Sequence, residues 1–163
     1  MSDPSYERRA LALSQFLALV AVGIGWVGLI ASLSGIEELN GPALGGITMK
    51  TNTALCLLVC GLALLALVRG ATGTARGLAV GGALGSCALG AGSGLEWALG
   101  VDLAIDELLA SQRTGALATP HPNRMAATTA VAFLMLGDVL AMQLTSRDRM
   151  PRLTTGGPLV ARP

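Results

Sequence analysis

The stretch Ala10–Leu33, ALALSQFLALVAVGIGWVGLIASL, decides the fold. It holds 24 residues and no charge. A helix of that length rises about 36 Å, enough to cross the hydrocarbon of a bilayer. Its polar residues, Ser14, Gln15 and Ser32, do not alternate with apolar ones, so the run does not read as a barrel strand. In hydrocarbon each backbone N–H and C=O must be bonded inside the protein, and a helix does this within one segment. Arg8 and Arg9 stand ahead of the run as in a signal peptide. A signal core is shorter, roughly 7–15 residues, and closes on a small-residue cleavage site that this run lacks, so a retained span is predicted.

Working outward, three more runs qualify. Thr53–Val68 holds 16 uncharged residues and extends back to Asn52. Leu78–Leu95 holds 18 and grows to 75–97 by admitting Arg76 and Glu96. Met125–Leu144 holds 20, with Asp138 its one charge. The prediction is an all-α membrane protein with spans near 10–33, 52–68, 75–97 and 125–144. A short tail (1–9) precedes the transmembrane domain (10–144), and a basic tail (145–163) follows it.

Composition agrees. Charged residues are 13% of the chain, against about 25% in a soluble domain, so the charged surface a soluble protein needs is missing. Apolar residues are 52%, too many for disorder. The 22 glycines have no period of three, which excludes collagen. Cys56, Cys60 and Cys87 all fall within spans, so no disulfide framework is expected.

Orientation follows from the basic residues. With the N-terminus inside, Arg8, Arg9, Arg69, Arg76, Arg147, Arg149, Arg152 and Arg162 lie on the inner side. Lys50, Arg113 and Arg124 lie outside, together with Glu37, Glu38, Glu96, Asp102, Asp106 and Glu107. Both termini are therefore expected in the cytoplasm. One lysine against ten arginines, with much Ala and Gly, suggests a high-GC bacterial gene and hence a bacterial inner membrane.

The second and fourth spans match at an offset of 76: Met49-Lys50-Thr51-Asn52-Thr53-Ala54-Leu55 against Met125-Ala126-Ala127-Thr128-Thr129-Ala130-Val131. Leu58, Gly61 and Leu64 match Leu134, Gly137 and Leu140. Ile36-Glu37-Glu38-Leu39 answers to Ile105-Asp106-Glu107-Leu108 at an offset of 69. Two tandem parallel helix-hairpin repeats are expected, packed as a pseudo-two-fold four-helix bundle. Asn52, Thr53, Thr128 and Thr129 are read as helix caps, accepting from the orphan N–H groups of the first turn.

The segments MKTNTALCLLVCG (Met49–Gly61) and RMAATTAVAFLMLG (Arg124–Gly137), joined by GLEWALGVDLAIDELL (Gly94–Leu109), resemble the N-terminal membrane region of bacterial sensor histidine kinases and diguanylate cyclases. The resemblance covers roughly Gly35 to Leu144. It implies a multi-span sensory input module feeding a cytoplasmic signalling domain. The family usually carries Pro before the Asn of each cap; Thr51 and Ala127 stand there, and Thr128 replaces the second Asn. The 19 residues after Leu144 hold no phospho-acceptor histidine and no cyclase signature. If these residues are the whole protein, an input module without its transmitter is expected, either acting through a partner chain or being a truncated relative of that family.

Few residues carry chemistry. Asp138 lies well inside a span, where a carboxylate costs roughly 2.5–3.5 kcal/mol on the insertion scale and needs a partner. Gln15, at a similar depth on the first span, is the expected one. Glu96, Asp102, Asp106 and Glu107 form an outer acidic group, either a solvated face or a cation- or pH-sensing site. With Val101–Leu109 helical, Asp102 and Asp106 share a face and the segment is amphipathic, lying at the interface. Trp97 reads as an interfacial anchor. His121, between Pro120 and Pro122, reads as a solvated loop residue, with a metal or pH-sensor role as the alternative. In the third span Gly77, Gly81 and Gly85 form one row, and Gly82, Ser86, Gly90 and Gly94 the next. Small residues so spaced allow close helix approach, so this helix is expected to be the central packing helix.

The expected function is a non-catalytic sensory or interaction module. Its expected partners are the bilayer, a second copy and a cytoplasmic signalling protein, with no nucleic acid, metal or cofactor. A small transporter or proton-linked carrier using Asp138, and a structural subunit of a membrane complex, are the other two readings.

Overall fold

The computed structural model describes residues 4–34, 49–105 and 124–146. These form four helices: α1 (Pro4–Ser34), α2 (Thr51–Val68), α3 (Gly73–Leu99) and α4 (Ala127–Ser146). No strand occurs among the described residues. All four helices are long and apolar enough to cross a membrane. Pro4 opens α1, at a position where its missing N–H is no loss. The turn after α2 is short: Gly70 takes φ +68°, and the Ala71 N–H donates to the Ala66 carbonyl at 2.9 Å. α3 stops where Gly100 adopts φ +64°, the left-handed conformation that commonly ends helices.

α1 packs on α2, and α3 packs on α4. α2 also touches both α3 and α4, whereas α1 and α4 share no contact among the described residues. The expected bundle closed about a pseudo-two-fold is therefore corrected: the ring is open. The central helix is α2 and not α3. The reason is side-chain size. α2 buries Ala54, Cys56, Cys60, Gly61 and Ala63 along its length, so neighbours approach it on several sides.

The core is made of small residues. Ala18, Ala54, Ala63, Ala83 and Ala130 are all fully buried, while Phe16, Leu17, Trp26, Met135 and Val139 are more than half exposed. Large apolar side chains outside and small ones inside is what lipid selects, because lipid rewards close van der Waals packing and penalises no exposed leucine.

Four glycines set the two tight contacts. A Cβ on Gly25 would stand 2.5 Å from the Leu58 nitrogen and 2.8 Å from the Ala54 carbonyl oxygen. One on Gly61 would meet the Ala18 oxygen and Val22 nitrogen at 3.0 Å. In the second pair, a Cβ on Gly90 would meet the Ala130 oxygen and Leu134 nitrogen at 2.6 Å. One on Gly137 would meet the Ala83 oxygen at 2.5 Å and the Cys87 nitrogen at 2.7 Å. Each contact in α1·α2 thus has a counterpart in α3·α4, 65 residues later in the first helix and 76 later in the second.

The glycine rows of α3 divide differently from expectation. Gly77, Gly81, Gly85 and Gly94 have nothing within 4 Å of where a Cβ would be. Gly90 packs on α4, Gly82 faces Val59 of α2 at 3.2 Å, and Ser86 is buried facing the thiols of Cys56 and Cys60. Only one of the two rows is a packing surface.

Candidate functional site: a buried ion cluster at the loop end of the bundle

The site forms where α3 ends and α2 and α4 begin. The last turns of α3 bury Ser93 and Glu96 on one side. Gly100 then turns the chain back, and 101–105 runs across the helix ends without regular structure. The amphipathic helix expected over Val101–Leu109 is thus corrected as far as Ile105. Side chains and not a helical ladder hold this segment. Asp102 Oδ1 accepts from the Ala104 N–H at 2.9 Å, and Ala104 takes φ +56°, a conformation unusual for alanine. The Leu103 N–H donates to Glu96 Oε1 at 2.9 Å. Ile105 lies over Gly92, its Cδ1 2.6 Å from where a Cβ would stand, and its carbonyl accepts from Asn52 Nδ2 at 3.0 Å.

Arg124, three residues before α4, closes the cluster from the other side. Its Nε lies 3.6 Å from Glu96 Oε2, and its Nη2 lies 3.8 Å from Asp102 Oδ1. Nη2 also donates to the Val101 carbonyl at 3.4 Å. Glu96 is inaccessible to solvent and Arg124 nearly so, whereas Asp102 is 67% exposed. A buried carboxylate is tolerable only when paired, and this one has a cation on one oxygen and a backbone N–H on the other. One residue further on, the Met125 carbonyl accepts from the Trp97 indole N–H at 2.9 Å. Hence 101–105 is tied to α2 through Asn52, to α3 through Glu96, and to the entry of α4 through Arg124.

Of the acidic group expected from sequence, Glu96 and Asp102 come together, while Asp106, Glu107 and His121 lie outside the described residues. The Arg124 guanidinium lies within 4 Å of both carboxylates and so pairs with each of them. Asn52 is not a helix cap. The N-cap of α2 is Lys50, which makes no side-chain cap bond, and Asn52 reaches across to Ile105. Its Oδ1 is buried with no hydrogen-bond partner, as is Ser93 Oγ. Thr53 is half-buried inside the first turn. Thr128 and Thr129 likewise fall inside the first turn of α4, after its start at Ala127. Arg124 was missed because its nearest charged neighbours in sequence are not its partners in space. Its signal is a lone cation at the entry of a span that shares its side of the bilayer with acidic residues.

Asp138 and Gln15 do not meet. Both are exposed, on helices that share no contact among the described residues. The intramolecular pair expected from their depth is therefore corrected. The cause is the central position of α2, which keeps α1 away from α4.

No protein-family model matches this chain, and no curated protein or solved structure does either.

Proposed function

We propose that this chain is a non-catalytic membrane input module that relays a change at its loop end to a cytoplasmic signalling partner. It would sit in a bacterial inner membrane as a tandem duplication of one helical hairpin, with both termini on the cytoplasmic side. The duplication is supported by the glycine contacts, which recur in both hairpins at constant offsets. The orientation is supported by the arginine bias.

The observation that carries the functional reading is the Glu96–Arg124–Asp102 cluster. It joins one exposed segment to the ends of three spans. A ligand, a headgroup or a change in bilayer pressure that displaces 101–105 must pull on α2, α3 and α4 together. Such a displacement reaches the other end of α4, and from there the arginine-rich segment 147–152. That segment also suits anionic headgroups of the inner leaflet.

The test is affinity capture of the full chain from its own membranes in mild detergent. Recovery of a histidine kinase or a cyclase is expected, with Arg124→Gln altering that enzyme's activity but not its recovery. A stoichiometric complex without a signalling enzyme would favour a structural subunit. Proteoliposomes that dissipate a pH gradient with the native chain and fail with Asp138→Asn would replace the proposal with a carrier.

A further inference from the structure

We propose that α4 of one copy docks against α1 of a second copy, repeating between chains the α2·α3 contact found within one chain, and that Asp138 bonds to Gln15 across this seam.

The argument begins with the constant offsets. Positions in α3 correspond to α1 residues 65 earlier, and positions in α4 to α2 residues 76 earlier. Within the chain, α2 and α3 meet in antiparallel register: Val59 faces Gly82, and Cys56 and Cys60 face Ser86. The counterpart of α2 in the second hairpin is α4, and the counterpart of α3 in the first is α1. The α4·α1 contact is not formed within the chain: these helices do not touch among the described residues.

The face that would make it is open. On the α2 side of that contact Cys56 and Cys60 are buried, while their α4 counterparts Ala132 and Leu136 are exposed, as is Met135, the counterpart of Val59. On α1 the counterpart of Gly82 is Leu17, also exposed.

The polar residues fix the occupant. Carrying the α2·α3 register one turn further brings Leu62 level with Ala79 and Val80. Their counterparts are Asp138 on α4 and Ser14 and Gln15 on α1. The two spans thus place their carboxylate and their carboxamide at one level, although neither makes a hydrogen bond or ion pair among the described residues. Leu62 is 46% exposed, so this level lies at the rim of the seam, where long side chains reach across. The counterpart seam is also bulkier, with Met135 and Leu17 where α2·α3 has Val59 and Gly82. Bulkier contacts set helices further apart, which leaves room for an Asp–Gln bond. A partner of any other sequence would need a polar group at this level by coincidence; a second copy supplies it. An isolated carboxyl facing acyl chains gains most from such a bond.

The experiment uses the full chain with Cys56, Cys60 and Cys87 replaced by alanine. Two separately tagged forms, Leu17→Cys and Met135→Cys, are co-expressed and oxidised in membranes. A mixed-tag adduct is expected. Gln15→Leu or Asp138→Leu should weaken association roughly threefold to thirtyfold, the worth of one interhelical hydrogen bond in lipid, whereas Asp138→Asn should keep it. The two leucine variants combined should cost no more than either alone. Protease resistance of 49–105 equal to that of the parent shows that each variant is folded. Adducts between two Met135→Cys copies only, no adduct at all, or an adduct indifferent to Asp138→Leu would each overturn the proposal.

Discussion

The Arg124 guanidinium lies 3.6 Å from the Glu96 carboxylate with both side chains closed to solvent, although 28 residues separate them. Removing one member of a buried pair leaves the other charge unmatched in a poorly polarisable setting, at a cost of about 3–5 kcal/mol. Arg124→Leu is expected to lower stability by that amount, measured by unfolding in detergent. Arg124→Leu combined with Glu96→Leu should recover most of the loss, because no charge is then stranded. A double variant as unstable as the single would show that the pair acts through packing instead.

Asn52 reaches from α2 to the 101–105 segment, donating to the Ile105 carbonyl at 3.0 Å. Asn52→Leu should cost about 1–3 kcal/mol, since that carbonyl loses its donor. Amide exchange at 101–105 should quicken, while exchange within α3 stays slow. Equal rates before and after substitution would mean that Glu96 and Arg124 hold the segment alone.

Two kinds of glycine should separate cleanly. Gly90→Ala places a methyl 2.6 Å from the backbone of α4, so α3 and α4 must part along their whole contact. Loss of the folded form is expected. Gly81→Ala and Gly85→Ala meet nothing within 4 Å and should stabilise by up to about 1 kcal/mol through helix propensity. Thermal unfolding of the three variants side by side is the measurement.

Single cysteines at Leu103 and Ser146 should label from opposite sides of the membrane with an impermeant maleimide in sealed cells. Leu103→Cys, on the exposed segment beside the ion cluster, should react from outside, and Ser146→Cys only after permeabilisation. Reversed labelling would invert the orientation without touching the packing.

The spans were legible because lipid imposes a length and a composition that few soluble helices meet, and Ala10–Leu33 satisfies both. Glu96 and Asp102 were legible as charges crowded near one boundary. What the sequence could not convey was neighbourhood. Gly81 and Gly82 are adjacent and chemically identical, yet Gly82 faces α2 and Gly81 faces nothing, because successive residues point about 100° apart around a helix and the sequence does not say which direction a neighbour takes. Asn52 looked like a cap because caps are local, and its actual partner, Ile105, lies 53 residues away. Gln15 and Asp138 were matched by depth, but depth says nothing about azimuth, and α2 stands between their helices.

The glycine contacts interlock each hairpin backbone to backbone, so its two helices cannot slide without first separating. The surface between hairpins differs: Val59 meets Gly82, and Cys56 and Cys60 meet Ser86, so short side chains make most of this contact. Sliding within a hairpin is thus expected to meet a steeper steric barrier than sliding between hairpins, away from the tie that Asn52 makes to Ile105.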